Sequence, residues 1–155
     1  MEIERKFLID SFPQGDACED RQVEQYYITT DPYIIVRRSV IGNGISYRLT
    51  FKGEGTLSRT ETEIDLTEKQ FEELKLLCKG RPLKKHTKVY PIGGGLFLEV
   101  SSVNEGEEGG FFYAEVEFPT EEAAKEFIPL PCLGKEVTDD PEYKMNRVAE
   151  RFNLT

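Results

Sequence analysis

Residues 2–9 read Glu2-Ile3-Glu4-Arg5-Lys6-Phe7-Leu8-Ile9. Successive side chains of a strand point to opposite faces, so as a strand this run sets Glu2, Glu4 and Lys6 on one face and Ile3, Phe7 and Ile9 on the other. The charged face carries both signs. The same parity recurs along the chain: Arg48, Thr50 and Lys52 stand opposite Tyr47, Leu49 and Phe51; Arg59, Glu61 and Glu63 opposite Thr60, Thr62 and Ile64; and Glu115 and Glu117 opposite Ala114, Val116 and Phe118. Arg37, Lys85 and Glu99 add to the charged set from other segments.

Working outward, the segments 2–9, 22–29, 34–41, 45–52, 58–66, 83–90, 96–103 and 111–118 are short and rich in β-branched and aromatic residues, as strands are. Asn43-Gly44, Gly53-Glu54-Gly55, Gly93-Gly94-Gly95 and the stretch 104–110 separate them as hairpin or loop signals, so neighbours should pair antiparallel. The three consecutive glycines lack the Gly-Lys-Ser/Thr ending of a phosphate loop. Three helices are expected. Thr67 to Gln70 has capping-box form ahead of Phe71, Leu74, Leu77 and Cys78 at helical spacing up to Gly80. A second helix starts near Thr120, with Glu121 and Glu122 in its positive first turn, and ends before Pro129. A third runs from Asp140 and Pro141 to about Phe152.

A sheet of eight strands tends to close on itself, which removes its exposed edges. Each helix carries an apolar stripe that needs a partner, which favours an apolar outer face and a charged lumen. The expected fold is therefore mainly antiparallel β with some helix (α+β), an eight-stranded closed barrel forming a tunnel. At 155 residues a single domain spanning 1–155 is expected.

Composition narrows the function. Lys and Arg number 20 against 29 Asp and Glu, a formal net charge of −9, which argues against a surface that neutralises nucleic-acid phosphates. No apolar run approaches the ~20 residues of a membrane span. The charged start, Met1 to Lys6, is unlike a secretory signal, and Cys18, Cys78 and Cys132 are odd in number and far apart, so a reduced, cytoplasmic chain is expected. A single histidine, His86, and no Cys-x-x-Cys exclude the usual zinc ligand sets. His86 reads as an ordinary strand residue.

Inside such a lumen, Glu2, Glu4, Glu61, Glu63, Glu99, Glu115 and Glu117 face Lys6, Arg37, Arg48, Lys52, Arg59 and Lys85, a nearly neutral set. Clustered glutamates repel by roughly 4 kcal/mol per pair about 4 Å apart and call for cations. All-oxygen donors suit Mg²⁺ or Mn²⁺, and one or two such ions would be balanced by a small polyanion. Basic residues for phosphate oxygens beside carboxylates for a bridging metal are the parts that phosphoryl transfer uses.

These residues resemble the CYTH domain of the triphosphate tunnel metalloenzyme family. Glu2-Ile3-Glu4-Arg5-Lys6 matches its Glu-x-Glu-x-Lys signature. Leu49 to Lys52, Arg59 to Glu63, Ala114 to Phe118, and Leu133 to Asp140 leading to Tyr143-Lys144 match further motifs in order. The resemblance implies an eight-stranded antiparallel tunnel that binds triphosphate compounds and a divalent metal, closest to the short bacterial inorganic triphosphatases. Members of this kind cleave tripolyphosphate to pyrophosphate and phosphate. Thiamine triphosphatase, class IV adenylate cyclase, and a non-catalytic polyphosphate or nucleotide-binding module stand as alternatives. The partner is a small polyanion, tripolyphosphate or a nucleoside or thiamine triphosphate, with no nucleic acid and no membrane, and the protein is a monomer or homodimer.

The implied roles are metal binding for Glu2, Glu4, Glu99, Glu115 and Glu117, and phosphate binding for Lys6, Arg37, Arg48, Lys52, Arg59 and Lys85. Glu61 and Glu63 would orient water, and by position Lys85 and Tyr27 match a lysine and a tyrosine near the reacting phosphate. The sequence departs from the family at two places. Its Arg-x-Arg pair is Arg37 with Ser39, and its Lys-x-Arg pair is Lys85 with Thr87. Arg48, on the inward parity, is expected to replace one missing arginine, because its fork grips phosphate as lysine cannot.

Overall fold

The structure, a computed structural model, describes residues 1–78 and 80–152. Its strands are β1 (Glu2–Leu8), β2 (Glu19–Thr29), β3 (Tyr33–Ile41), β4 (Gly44–Lys52), β5 (Ser58–Arg59), β6 (Glu61–Leu66), β7 (Leu83–Gly93), β8 (Leu96–Val103) and β9 (Phe111–Glu117). The helices are α1 (Glu68–Lys75), α2 (Glu121–Glu126) and α3 (Met145–Arg151). All strands lie in one sheet in the order β5-β1-β9-β8-β7-β2-β3-β4-β6, and every pairing is antiparallel.

The two ends of that order are consecutive in sequence. The segment 58–66, which reads as one strand, turns at Thr60, so that β5 pairs with β1 (Glu2 opposite Arg59) and β6 pairs with β4 (Lys52 opposite Glu61). The Gly53 N–H donates to the Thr60 carbonyl at 2.8 Å and ties the turn to the end of β4. Nine hydrogen-bonded strands thus act as eight staves, with β5 and β6 one bent stave, and the sheet closes into the expected barrel.

Because β5 is only two residues long, it covers only the start of β1. The remaining edge is sealed by the stretch 134–138: Gly134 N–H donates to Leu8 O at 2.7 Å, Leu8 N–H to Lys135 O at 2.8 Å and Val137 N–H to Lys6 O at 2.8 Å. Gly134 is required by this close approach, since a Cβ there would stand 3.0 Å from the Leu8 carbonyl oxygen. Arg5, on the outward parity, locks the seal. It makes a two-pronged ion pair with Glu136 (2.9 and 2.7 Å) and donates to the carbonyls of Ala124 and Phe127 at the end of α2 (2.9 and 2.8 Å).

The helices take the outer face and one end. The α1 capping box forms as read, Thr67 Oγ1 accepting from Gln70 N and Gln70 Oε1 from Thr67 N, and Phe71 packs on Tyr26 and Tyr47. The α2 helix, capped by Thr120, lies over Val116, Ala114, Leu98 and Val100, with Ile3 beside them. The outward Phe51 and Ile64 stay exposed, because α1 packs on β4 at Tyr47, away from the end of the strand that carries Phe51. The third helix is interrupted: Pro141–Tyr143 is a single 3₁₀ turn capped by Asp140, and Lys144 is extended (φ −70°, ψ 136°) before α3 begins. Met145, Val148 and Ala149 then pack with Tyr27, Tyr33, Ile35, Leu83, Val103 and Tyr113, which plugs one end of the barrel. Among the described residues no helix is long and apolar enough to cross a membrane.

Gly55 sits in the loop that leads into the closing turn, at φ +134°, where a Cβ would meet the Ser58 carbonyl oxygen at 2.1 Å. Gly94 has φ +62° with open space around it. Gly55→Ala should cost about 2–3 kcal/mol, from backbone strain plus displacement of the turn, while Gly94→Ala should cost about 1 kcal/mol. Urea midpoints of the two variants check this; equal losses would mean that the turn at Thr60 tolerates distortion.

Candidate active site

Barrel closure leaves a cavity of about 680 Å³. Glu2, Glu4, Arg37, Arg48, Lys52, Glu61, Glu63, Lys85, Glu99, Glu115 and Glu117 line it, as their parity requires. Lys6 and Arg59 instead border a smaller opening beside Glu4, Thr138 and Lys144. Tyr27 also follows the inward parity but lies beyond the floor, 1% exposed, with its hydroxyl 3.1 Å from that of Tyr33. The α3 plug covers that level of the barrel, so Tyr27 packs there and does not line the cavity.

The closing turn brings the strongest charges together. Glu2 from β1 meets Arg59 Nε at 3.1 Å and Lys52 Nζ at 3.6 Å, Lys52 also lies 3.6 Å from Glu61, and Arg59 reaches Glu4 at 4.0 Å. Tyr33 underlies this group, its ring 5.6 Å from Lys52 Nζ and 5.5 Å from the Arg59 guanidinium, close enough for cation–π attraction. Tyr113 does the same across the floor. Lys85 Nζ donates to its hydroxyl at 2.9 Å, and Lys6 Nζ lies 5.1 Å from its ring while donating to the Tyr143 carbonyl. Lys85 therefore partners Tyr113, not Tyr27.

Burial among like charges displaces the ionisation equilibria. Burial and the neighbouring Glu115 push the Glu4 carboxyl well above its ordinary range. Burial works against Glu115 too, but Lys6, a hydrogen bond with Glu4, Lys85 and Lys52 hold it down to about 2. Glu4 thus carries the proton of this pair. Burial and the bond to Glu2 raise Glu61 to about 8, and burial beside Glu2, Glu99 and Glu115 raises Glu117. Burial first, then Arg37, lowers Lys85 to about 7.

Towards the mouth, Glu63 bridges Arg37 (3.5 Å) and Arg48 (2.8 Å), and Arg48 also meets Asp65 at 3.2 Å. The Arg48 side chain is 48% exposed, so it belongs to the rim. Gln25, with its amide oxygen turned to Arg37, accepts from Nε and Nη2 at 3.2 and 3.0 Å; the opposite orientation would set N–H against N–H. Ser39, where the family pattern has an arginine, lines the wall. Thr87, at the other such place, is bound to Ser101 hydroxyl to hydroxyl at 2.7 Å. Glu99, read from the sequence as a metal ligand, is engaged by Arg21 at 2.9 Å. Arg38 and Lys88 stay outside, Lys88 over the Phe12 ring, since neither shift in register falls near them. His86 pairs with Asp20 at 2.7 Å.

Arg21, Gln25 and Tyr113 are lumen or floor residues that sequence reading missed. The segment 22–29 was begun too late to include Arg21, although Val23, Gln25 and Tyr27 carry the same parity. Tyr113, two before Glu115, was passed over because a neutral aromatic gives no charge signal.

No family model matches the chain. An inorganic triphosphatase of Nitrosomonas europaea is 38% identical over 148 residues, covering 96% of each chain. The chain belongs to the triphosphate tunnel, or CYTH, family. An inorganic triphosphatase of Acetivibrio thermocellus is 33% identical, covering 92% of this tunnel protein and 88% of that one. The crystal structure of an inorganic triphosphatase superposes with a TM-score of 0.65 at 35% identity, covering 96% and 94% of the two chains. A Hippeastrum protein described with a dominant triphosphatase activity shares the tunnel fold at 16% identity, TM-score 0.55, covering 81% and 83%.

The family implies a divalent cation, and the lumen of this tunnel protein supplies a test of fit. Among the described residues no three His, Cys, Asp or Glu side chains form a cage on their own. Glu61 Oε2, however, is buried without a hydrogen-bond partner, and the Glu4 and Glu115 carboxyls hold one proton where a cation would relieve them. Mg²⁺ characteristically takes one or two carboxylates and completes its shell from water and substrate phosphates. The donor set fits an ion of that kind.

Lys85 gives a pH test with a defined sign. Below about pH 7 both the folded and unfolded chains keep its proton, and the cost of burying the charge is full. From about 7 up to the ordinary lysine value of 10.5 the folded state sheds a proton that the unfolded state retains, so stability rises with pH. Lys85→Met should therefore raise the urea midpoint over the unsubstituted protein most at pH 6 and least near pH 10. A pH-independent difference would show that Lys85 titrates normally.

Proposed function

We propose that the chain is a divalent-metal-dependent hydrolase of inorganic tripolyphosphate. The observation that carries this reading is the closed lumen in which Lys52, Arg37 and Lys85 stand opposite an excess of carboxyl groups, Glu2, Glu4, Glu61, Glu115 and Glu117. Such a lumen accepts a polyanion only together with added positive charge. Its size and its plugged end suit a short linear anion. The near-full-length relatives named inorganic triphosphatase support the same reading.

In this reading Lys52, braced by Glu2 and Tyr33, and Arg37, braced by Gln25 and Glu63, bind phosphate oxygens through charge-assisted hydrogen bonds. Lys85 at the floor, oriented by Tyr113, holds the inner phosphate, while Lys6 and Arg59, at the adjoining smaller opening, add positive charge beside it. Lys85, with a pKa of about 7, is half-protonated at pH 7 and gains its full charge as the anion enters. One or two carboxylates from the set Glu2, Glu4, Glu115 and Glu117 would hold Mg²⁺ or Mn²⁺ together with substrate phosphate oxygens, and the ion would neutralise charge on those oxygens and polarise the phosphoanhydride. Glu61, whose buried Oε2 makes no hydrogen bond and lies 3.6 Å from Lys52 Nζ, orients the attacking water and in its ionised form takes its proton, with Glu63 beside it. These residues are fixed before substrate arrives, so little reorganisation is needed in the transition state.

Phosphate release from tripolyphosphate, ATP and thiamine triphosphate, each with Mg²⁺, Mn²⁺ or EDTA, tests the proposal, with a cyclic-AMP assay alongside. Turnover should be highest on tripolyphosphate and vanish in EDTA. Glu4→Gln and Glu117→Gln should lower it at limiting metal and recover in part at high metal. Full activity in EDTA would overturn the metal role, and tight tripolyphosphate binding without release would identify a binding module instead.

A further inference from the structure

Arg21 stands on the tunnel wall with its side chain aimed into the lumen, in line with Val23 and Gln25. Its ladder partners are Thr87 on β7 and Ile41 on β3. Thr87 and its own partner Ser101 are short and spend their hydroxyls on each other at 2.7 Å, so the wall beside Arg21 offers a ligand no other long basic side chain. The guanidinium is held by two carboxylates that line the lumen beside it. One terminal nitrogen donates to Glu19 and the other to Glu99 at 2.9 Å. A guanidinium has five N–H donors in a planar fork, and these two bonds leave three for a further acceptor.

The level at which Arg21 sits matters. Lys85, at the floor, pairs with Val23, and Thr87 pairs with Arg21, so the two levels lie one inward step apart, about 6.7 Å along the strands. An anion held at Lys85 must be several linked units long to reach Arg21. Arg21 also borders the pocket at the mouth formed with Phe97, Phe118 and Pro119, so it meets the end of a bound chain that points towards solvent.

We propose that Arg21 is a further substrate-binding residue of this tunnel, gripping the outer phosphate of a linear polyphosphate, with Glu19 and Glu99 as its positioning residues. It supplies from β2 the forked contact that an arginine at position 87 would supply from β7, since the two positions face each other across one ladder. Glu99 then serves the anion through Arg21 and is not a metal ligand. The proposal rests on the tripolyphosphatase reading and adds the residue that recognises the far end of the substrate.

The test compares the unsubstituted protein, Arg21→Ala, and Arg21→Ala combined with Thr87→Arg, by steady-state phosphate release and by calorimetric titration with tripolyphosphate. Arg21→Ala should raise KM about ten- to hundredfold, the worth of a lost charge-assisted contact, with kcat nearly unchanged, as expected for an interaction made equally in ground and transition states. The added arginine at 87 should restore a substantial part of the loss. Unchanged KM, a loss confined to kcat, or no recovery in the double variant would each overturn the proposal. If Arg21→Ala does not fold, Arg21→Lys keeps the charge but loses the fork, and its KM should still rise; an unchanged KM would overturn the proposal equally. Failure of the unsubstituted protein to release phosphate would overturn the hydrolase reading alone. Calorimetry then decides on Arg21: at least tenfold weaker tripolyphosphate binding by Arg21→Ala supports its role, and equal binding overturns it.

Discussion

The turn at Thr60 is the constraint on which the rest of the molecule depends. A sheet of this length has two edges, and here the edges are consecutive pieces of one segment, Ser58–Arg59 on β1 and Glu61–Leu66 on β4. Closure turns a strand face that would be solvated into the wall of a cavity. It also places Arg59 and Glu61, two residues apart, against Glu2 and Lys52 from opposite ends of the sheet order. The seal of 134–138 along β1 and the Arg5–Glu136 pair hold the same seam from outside, which gives the motif around Gly134 a structural task.

Once the lumen is closed, electrostatics governs its contents. Charges removed from water must be paired or neutralised, and the lumen uses both routes. Glu2 is paired with Arg59 and Lys52. Glu4 keeps a proton because Glu115 is already the anion held by Lys6 and Lys85. At the floor the aromatic rings of Tyr33 and Tyr113 face four cations, providing attraction without adding negative charge. The lumen thus balances its buried charges by pairing some and protonating others.

Tunnel walls built from alternating strands also explain how the basic set tolerates change. A position on one strand faces the same volume as its ladder partners on both neighbours. Ser39 and Thr87 stand where the family pattern has arginines, and the ladder partner of Thr87 on β2 is the long, basic Arg21. Arg48, the replacement that inward parity suggests, lines the lumen at its rim, where it pairs with Glu63 and Asp65.

Period-two alternation by itself determined which residues could share a face, and the recurrence of that parity with both signs of charge from Glu2 to Glu117 determined that the shared face is a lumen. It also determined most of the lining, since each side of a strand is set by local backbone geometry. The tertiary structure alone decided depth and partnership. Tyr27 and Gln25 have the same parity, yet the α3 plug buries one and leaves the other on the wall. Lys85 bonds Tyr113 across β8, and Glu99 bonds Arg21 across β7, because the barrel brings strands distant in sequence within one strand of each other. The break at Thr60 was equally hidden, as one residue's change of partner leaves the polarity pattern of 58–66 intact. Register and closure arise from long-range pairing, which a local pattern does not encode.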